Sequence, residues 1–242
     1  MTGVNDTRVV ILAGGKGTRL RPYTTVLPKP LMPIGDMPIL EVVLRQLKSA
    51  GFKKVTLSVN HLADLIQAFF GDGSALGLEI EYCIENEPLG TAGCLSLVRN
   101  LTDTFLVMNG DLLTTLDYAA MVRRHIETNA VATIGVFPRE VRINFGVLEL
   151  GGKGELLDYK EKPRLEYLVS MGVNVLDKSA LDFVPKASYL DMPTLMMKLK
   201  EEAGKPVLSY RSDCEWLDIG RLDDYEMAVK AFEKSRDKYL RA

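Results

Sequence analysis

Val9-Val10-Ile11-Leu12-Ala13-Gly14-Gly15-Lys16-Gly17-Thr18-Arg19-Leu20-Arg21-Pro22 decides how this chain is read. A short β-branched apolar run stops abruptly in glycines, a threonine and cations, which suits a buried strand leading into a turn. Glycine has no Cβ, so the backbone can turn tightly and bring its N–H groups close to a ligand. Lys16, Arg19, Arg21 and, further on, Lys29 add positive charge. A strand feeding a Gly-rich cationic turn suits the phosphates of a nucleotide; the alternative is an ordinary βα turn shaped by glycine. The pattern is not a P-loop, because no window supplies G-x-x-x-x-G-K-[ST]. A dinucleotide fingerprint begun at Gly15 and Gly17 meets Leu20 where its third glycine belongs.

Composition narrows the classes. The 242 residues are 47% hydrophobic and 26% charged, the balance of a globular chain. A formal net charge of −2 gives no general attraction to nucleic acid or to an anionic membrane, so neither is expected as a partner. The cations must act locally. Cys83, Cys94 and Cys214 form no C-x-x-C pair and fit thiols of a reducing, cytoplasmic compartment. With only His61 and His125 present, a His-rich metal site is excluded. No apolar run approaches the ~20 residues of a membrane span. Met1-Thr2-Gly3-Val4-Asn5-Asp6 lacks the cationic and apolar regions of a signal peptide.

Working outward, three prolines in Pro28-Lys29-Pro30-Leu31-Met32-Pro33 are expected to hold that stretch extended, fixing Lys29 in place. Pro38 opens a helix carrying Ile39, Leu40, Val43, Leu44 and Leu47, which Gly51 ends. Strands follow over 55–59, 78–84 and 104–108. Asn60 and Thr91 are candidate caps for the helices between them. This β-α-β-α-β-α-β succession predicts a mostly parallel, doubly wound sheet with helices on both faces. Ligands of such sheets sit at the carboxyl ends of the strands. Gly14 to Arg19, Glu85 and Asp111 each follow such an end and should converge. The second half predicts a helix over 118–125, a strand over 131–136 and short strands over 146–150, 155–159 and 169–175. A Gly151-Gly152-Lys153-Gly154 hairpin turn joins two of them. Helices follow over 179–183 and 192–200, then a last one carrying Tyr225 and Phe232. The small β-rich region is expected to form a lid or second wall over the open end of the sheet.

Two aspartates stand out. Asp111 follows Gly110, and Asp218 lies in Trp216-Leu217-Asp218-Ile219-Gly220. A lone Gly-Asp is commonly a turn, but two carboxylates facing one crevice suit Mg²⁺ beside phosphates. In Tyr159-Lys160-Glu161-Lys162-Pro163, strand alternation puts Lys160 and Lys162 on one face and Glu161 on the other, unless Pro163 bends the chain. Glu161 could accept bonds from sugar hydroxyls and Lys162 could hold a phosphate; the alternative is a solvated edge strand.

Leu12 to Pro22, Pro28-Lys29-Pro30, Pro88-Leu89-Gly90-Thr91-Ala92-Gly93, Asn109-Gly110-Asp111, Glu161-Lys162-Pro163 and Trp216 to Gly220 occur in this order. Together they resemble the sugar-1-phosphate nucleotidylyltransferases, or NDP-sugar pyrophosphorylases, and most closely the mannose- and heptose-1-phosphate guanylyltransferase branch. The resemblance spans about Val9 to Tyr225. It implies a Rossmann-like three-layer α/β/α fold with a small β-rich sugar-binding elaboration. It implies one domain over 1–242, with a nucleotide-binding half over about 8–115 and a sugar-binding half with the C-terminal helix over about 116–242. The sequence shows no hexapeptide repeats, so no left-handed β-helix is expected. The substrates implied are a nucleoside triphosphate and a sugar 1-phosphate, with Mg²⁺ as cofactor; a homo-oligomer stays open. By matching motif, Leu12, Ala13, Gly14, Gly15, Gly17 and Thr18 would embrace the nucleotide. Arg19 would bind its outer phosphates, and Lys29 would bridge the two substrates. Glu85, Pro88, Gly90 and Thr91 would surround the base. Asp111 and Asp218 would hold the metal. Asn109, Gly146, Glu161, Lys162 and Asn174 would line the sugar-phosphate side. The segment Ser170-Met171-Gly172-Val173-Asn174 departs from the commoner Asn-Ala-Gly-Ile-Tyr pattern, which leaves the sugar open. Guanylyl transfer is the leading expectation. Uridylyl or thymidylyl transfer to glucose 1-phosphate, and a silent nucleotide-sugar-binding relative, are the alternatives.

Overall fold

A computed structural model describes residues 4–240; Met1-Thr2-Gly3, half of the stretch read for a leader, lies outside the described residues. In chain order, β1 (Arg8–Leu12) leads through the glycine turn to a ribbon of β2 (Pro33–Ile34) and β3 (Met37–Pro38) and to α1 (Ile39–Ser49). Then come β4 (Lys54–Val59), α2 (Ala63–Phe70), β5 (Glu79–Ile84), the single turn α3 (Gly90–Gly93), β6 (Thr104–Asn109) and β7 (Leu112–Thr114). The second half holds α4 (Tyr118–Thr128), β8 (Ala132–Arg142), β9 (Val147–Leu150), β10 (Leu156–Lys160) and β11 (Arg164–Asp177). It ends with α5 (Met192–Glu202), β12 (Val207–Arg211), β13 (Trp216–Asp218), α6 (Leu222–Lys234) and α7 (Arg236–Tyr239).

Seven strands make the main sheet in the order β12-β8-β11-β6-β1-β4-β5. Every neighbouring pair is parallel except the two made by β11, which runs antiparallel to both β6 and β8. The sheet is therefore doubly wound and mostly parallel, as expected. Strand alternation explains the continuous apolar run of β1. Val9 and Ile11 pack with α1, α2 and α4 on one face. Val10 packs with Leu95, Leu195 and Leu199 on the other. Both faces are covered, which accounts for the unbroken apolar run from Val9 to Ala13. A third apolar cluster joins Leu20, Ile34 and Ile39 to Ile219 and Phe232 of the C-terminal region. The β9–β10 hairpin and the outer halves of β8 and β11 extend as an arm, with Phe145, Leu157 and Leu168 exposed. Among the described residues no helix is long and apolar enough to cross a membrane.

Three local expectations need correction. The Lys29-Pro30-Leu31 stretch is a 3₁₀ turn, not extended chain; a proline in its first turn surrenders an N–H that would have no partner anyway. Asn60 does not cap α2: Leu62 occupies that place in a left-handed conformation, and Asn60 Nδ2 donates to the Glu85 carbonyl at 2.6 Å. Thr91 lies inside α3 and its Oγ1 accepts from the Met192 N–H at 2.7 Å. Both side chains serve long-range contacts that leave no local pattern. Pro38 and Gly51 bracket α1 as read, Gly51 at φ +93°.

The α3 turn is pinned to the chain before α5. The N–H groups of Ala92 and Gly93 both donate to the Leu190 carbonyl at 2.9 Å. A Cβ on Gly93 would overlap the Ser188 carbonyl oxygen, a backbone atom that cannot rotate away. Gly93→Ala should therefore lower the unfolding free energy by about 2 kcal/mol in urea titration. Gly152→Ala, which meets open space, should leave the urea midpoint in place.

Candidate active site

At the carboxyl end of β1 the chain leaves the sheet. Gly17 adopts φ +58°, and its carbonyl accepts from Thr24 Oγ1 at 2.8 Å. A Cβ there would meet Thr24 Cγ2 at 3.0 Å and Lys29 Cβ at 3.2 Å. The absence of a side chain thus lets the turn close onto the segment that carries Lys29. Leu12, Ala13, Gly14, Gly15, Gly17, Thr18, Arg19 and Lys29 line one side of a cavity of about 420 Å³. Glu85, Pro88, Gly90 and Thr91 line another, and Asn109 and Asp111 close the third. Three strand ends have converged, as parallel topology requires.

The acidic side is built by two strands that sequence reading did not pair. β13 runs antiparallel to β7, placing Asp218 opposite Leu112, and the Ile219 N–H donates to the Asp111 carbonyl at 3.2 Å. Lys29 Nζ contacts Asp111 Oδ2, while Asp111 Oδ1 is buried with no hydrogen-bond partner. Asp218 is exposed and does not itself line the cavity; Gly220, which does, lies next to it, since a Cβ there would meet Asp218 Oδ2 at 3.6 Å. Even so, the protein packed around it raises its pKa above the ordinary 3.8, and the Asp111 charge adds to the shift; Lys29 and Arg19 oppose it. Two carboxylates that repel one another, one with an orphaned buried oxygen, fit a hard divalent cation. Among the described residues no cluster of three or more His, Cys, Asp or Glu forms a metal cage.

Glu85 is buried at the end of β5. Its Oε1 accepts from Ser58 Oγ at 2.7 Å and its Oε2 from the Leu89 N–H at 3.2 Å, so the carboxylate is locked in orientation. Asn60 and Cys94 also line the cavity, and sequence reading assigned neither a site role. Asn60 could be found by its polarity at a strand's carboxyl end, which its reading as a cap absorbed; Cys94 sits in an apolar helical pattern with no signal. Burial and then the neighbouring Glu85 push the Cys94 thiol up to about 12, so it holds its proton at neutral pH and is no nucleophile.

The residues expected on the sugar side are dispersed. Asn109 is in the cavity wall and lies against Gly172, which turns at φ +71° within a shift of register in β11. Asn174 is buried between β6 and β8. Gly146 and Glu161 neighbour one another on the arm: a Cβ on Gly146 would come within 3.2 Å of Glu161 Oε2. Tyr159 OH donates to that same oxygen at 3.2 Å. Strand β10 ends at Lys160 and Lys162 takes φ +46°, so the alternation read across Lys160 and Lys162 breaks there. Gly146, Glu161, Lys162 and Asn174 do not line the cavity.

A family model described as nucleotidyl transferase matches residues 8–235. The chain belongs to that family. It is 34% identical to a UTP–glucose-1-phosphate uridylyltransferase of Synechocystis, with 92% of this chain aligned. It spans 62% of that relative's length. It is 30% identical to a D-glycero-α-D-manno-heptose 1-phosphate guanylyltransferase of Aneurinibacillus thermoaerophilus, over 93% of this chain and 97% of the relative. Among solved structures, HddC from Yersinia pseudotuberculosis shares the fold with a TM-score of 0.73 at 24% identity, over 93% of this chain and 99% of that one. Membership gives the glycine turn and the paired aspartates a common context, although the chain carries them on segments far apart in sequence.

The raised pKa of Asp218 has a thermodynamic sign. The native carboxyl holds its proton to higher pH than the unfolded one, so native protein binds more protons and stability falls as pH rises above 3.8. Asp218→Asn removes that penalty. With chelator present, the variant should melt higher than the parent at about pH 7 and equally at about pH 3, where both forms of the residue are neutral.

Proposed function

We propose that this nucleotidyl transferase joins the nucleotidyl group of a nucleoside triphosphate, best GTP, to a mannose- or heptose-type sugar 1-phosphate and releases pyrophosphate. One observation carries the reading. A Gly-rich turn, two cations and Asp111 gather at one cavity at the sheet's carboxyl ends, and the β7–β13 ribbon brings Asp218 beside Asp111. Two polyanionic substrates repel, so catalysis of this class rests on charge compensation and alignment rather than on a protein nucleophile. The backbone from Gly14 to Thr18 would seat the triphosphate. Arg19 would bind the outer phosphates and ease their departure, and Lys29 would draw the two phosphates together. The sugar phosphate oxygen, already ionised at neutral pH, attacks the α-phosphorus in line; the bond to the departing pyrophosphate breaks, and no general base is needed. Asp111 and Asp218 would hold Mg²⁺, which supplies charge neutralisation at the phosphates. Gly146, Glu161 and Lys162, on an arm separate from the cavity wall, and Asn174, buried in the main sheet, would serve the sugar side. The three free thiols fit a reducing cytoplasmic setting.

Glu85 supports guanine. Its locked carboxylate can only accept, and each oxygen keeps a lone pair beyond those used by Ser58 and Leu89. Guanine presents two adjacent donors, N1–H and N2–H, that match a carboxylate. Uracil presents one donor flanked by two carbonyl oxygens that a carboxylate repels. The uridylyltransferase relative keeps a second reading alive: UTP with glucose 1-phosphate.

Pyrophosphate release with Mg²⁺ should be measured across GTP, UTP, dTTP, CTP and ATP against mannose, heptose and glucose 1-phosphates. GTP with a manno-configured sugar is the expected pair. UTP with glucose 1-phosphate would keep the reaction and replace the base, and silence throughout would favour a nucleotide-sugar-binding relative without turnover. Asp111→Asn should lower kcat by about 100-fold or more with the fold intact. Glu85→Gln should reduce kcat/KM for GTP by about 100-fold and narrow the gap to UTP, because its amide can serve uracil's acceptors.

A further inference from the structure

Lys29 and Asp111 form the most enclosed ion pair of the cavity, their side chains 12% and 21% exposed. The ammonium rests on the carboxylate that the proposed function assigns to the metal. The pair is bounded by Asp218 on one side, whose charge Asp111 opposes and Lys29 relieves. On the other side, the Lys29 segment is fixed against the glycine turn, where Gly17 lies under Lys29 Cβ. A short pivot is available: Lys29 belongs to a three-residue 3₁₀ turn whose stem is held, while its four-carbon chain can swing toward phosphates bound at Gly14 to Thr18.

Resting on that reading, we propose that Lys29 is a resident counter-ion that competes with the divalent cation for Asp111, and that the triphosphate admits the cation by drawing Lys29 away. The ammonium and the metal cannot both neutralise Oδ2. A partly buried ion pair resists disruption more than a surface one. A phosphate chain offers Lys29 a better-charged partner, and its departure leaves Asp111 with two oxygens for the cation. Triphosphate and cation therefore favour one another through Lys29 as well as by direct contact. By linkage each tightens the other by the same factor. A weakly held cation in the nucleotide-free protein keeps the site from filling with metal that no phosphate can use.

The test is equilibrium binding of Mn²⁺, followed by its free-ion EPR signal, with and without a non-hydrolysable GTP analogue. Without nucleotide, Lys29→Met should bind Mn²⁺ about tenfold or more tighter than the parent. Arg19→Met removes the same charge without touching Asp111 and should tighten binding less than about threefold. Lys29→Arg, which keeps a cation against Asp111, should remain as weak as the parent. The ratio of Mn²⁺ affinities with and without the analogue should shrink in Lys29→Met. If Lys29→Met binds no tighter than the parent, or no tighter than Arg19→Met, the counter-ion role is overturned and the metal reading stands. If the parent binds no Mn²⁺ even with the analogue, the metal reading itself falls. Lys29→Gln replaces the methionine variant if the latter does not show a cooperative melt.

Discussion

The Gly110 N–H donates to the carbonyl of Leu12 at 3.0 Å, and the arrangement of the site depends on that link. It closes the end of β6 onto the end of β1, so the carboxylate of the next residue, Asp111, stands beside the glycine turn. The approach needs a residue without a side chain: a Cβ on Gly110 would press Ile11 Cγ2 at 3.1 Å and the Leu12 carbonyl at 3.3 Å. On the other flank the Ala13 N–H donates to Ser58 O at 2.8 Å. β1 is therefore stitched on both sides just where it stops being a strand. The turn that follows is free to present its N–H groups because the strand before it cannot move.

Charge is then distributed from three sources. The turn and its successor segment supply cations, the end of β6 supplies one carboxylate, and the β7–β13 ribbon supplies the other. A ribbon of three residues on each strand is too short to be stable alone. It survives because Leu113 and Ile219 join the apolar cluster with Leu20, Ile34 and Phe232. The same cluster takes in Met32, which follows the Lys29 turn, and Tyr225 OH of α6 donates to the Pro33 carbonyl at 2.6 Å. Helix α6 thus braces both the cationic and the acidic sides. Its distance from the cavity in sequence says nothing of its importance to the geometry.

Much of this was legible in the order of residues. The unbroken apolar run of β1 required two covered faces, and the repeated strand-helix succession required parallel strands with their carboxyl ends together. From those two inferences Gly14 to Arg19, Glu85 and Asp111 had to approach one another. What escaped was set by partners far along the chain. Leu112 to Thr114 has no periodicity, because three residues cannot display one, and its partner lies about a hundred residues away. Asn60 and Thr91 carry the chemistry of helix caps, yet both are taken by tertiary contacts. The prolines around Lys29 were read as holding the chain extended, but they permit a 3₁₀ turn, whose first positions need no donor.

The site is assembled against its own electrostatics. Asp111 keeps an orphaned buried oxygen and Asp218 holds its charge in the face of a like neighbour, features that a core selected for stability alone would not keep. They are sustained by apolar packing on both faces of the sheet and by the third cluster beneath the ribbon. A ligand that supplies positive charge between the carboxylates relieves their repulsion, and one that supplies negative charge at Arg19 and Lys29 relieves the opposite excess. A ligand that binds the native chain and not the unfolded one raises stability by mass action. Rigidity at the end of β1 and unrelieved charge beyond it are therefore two halves of one design: the sheet holds the groups in place, and the counter-charges that the fold withholds are left for a ligand to supply.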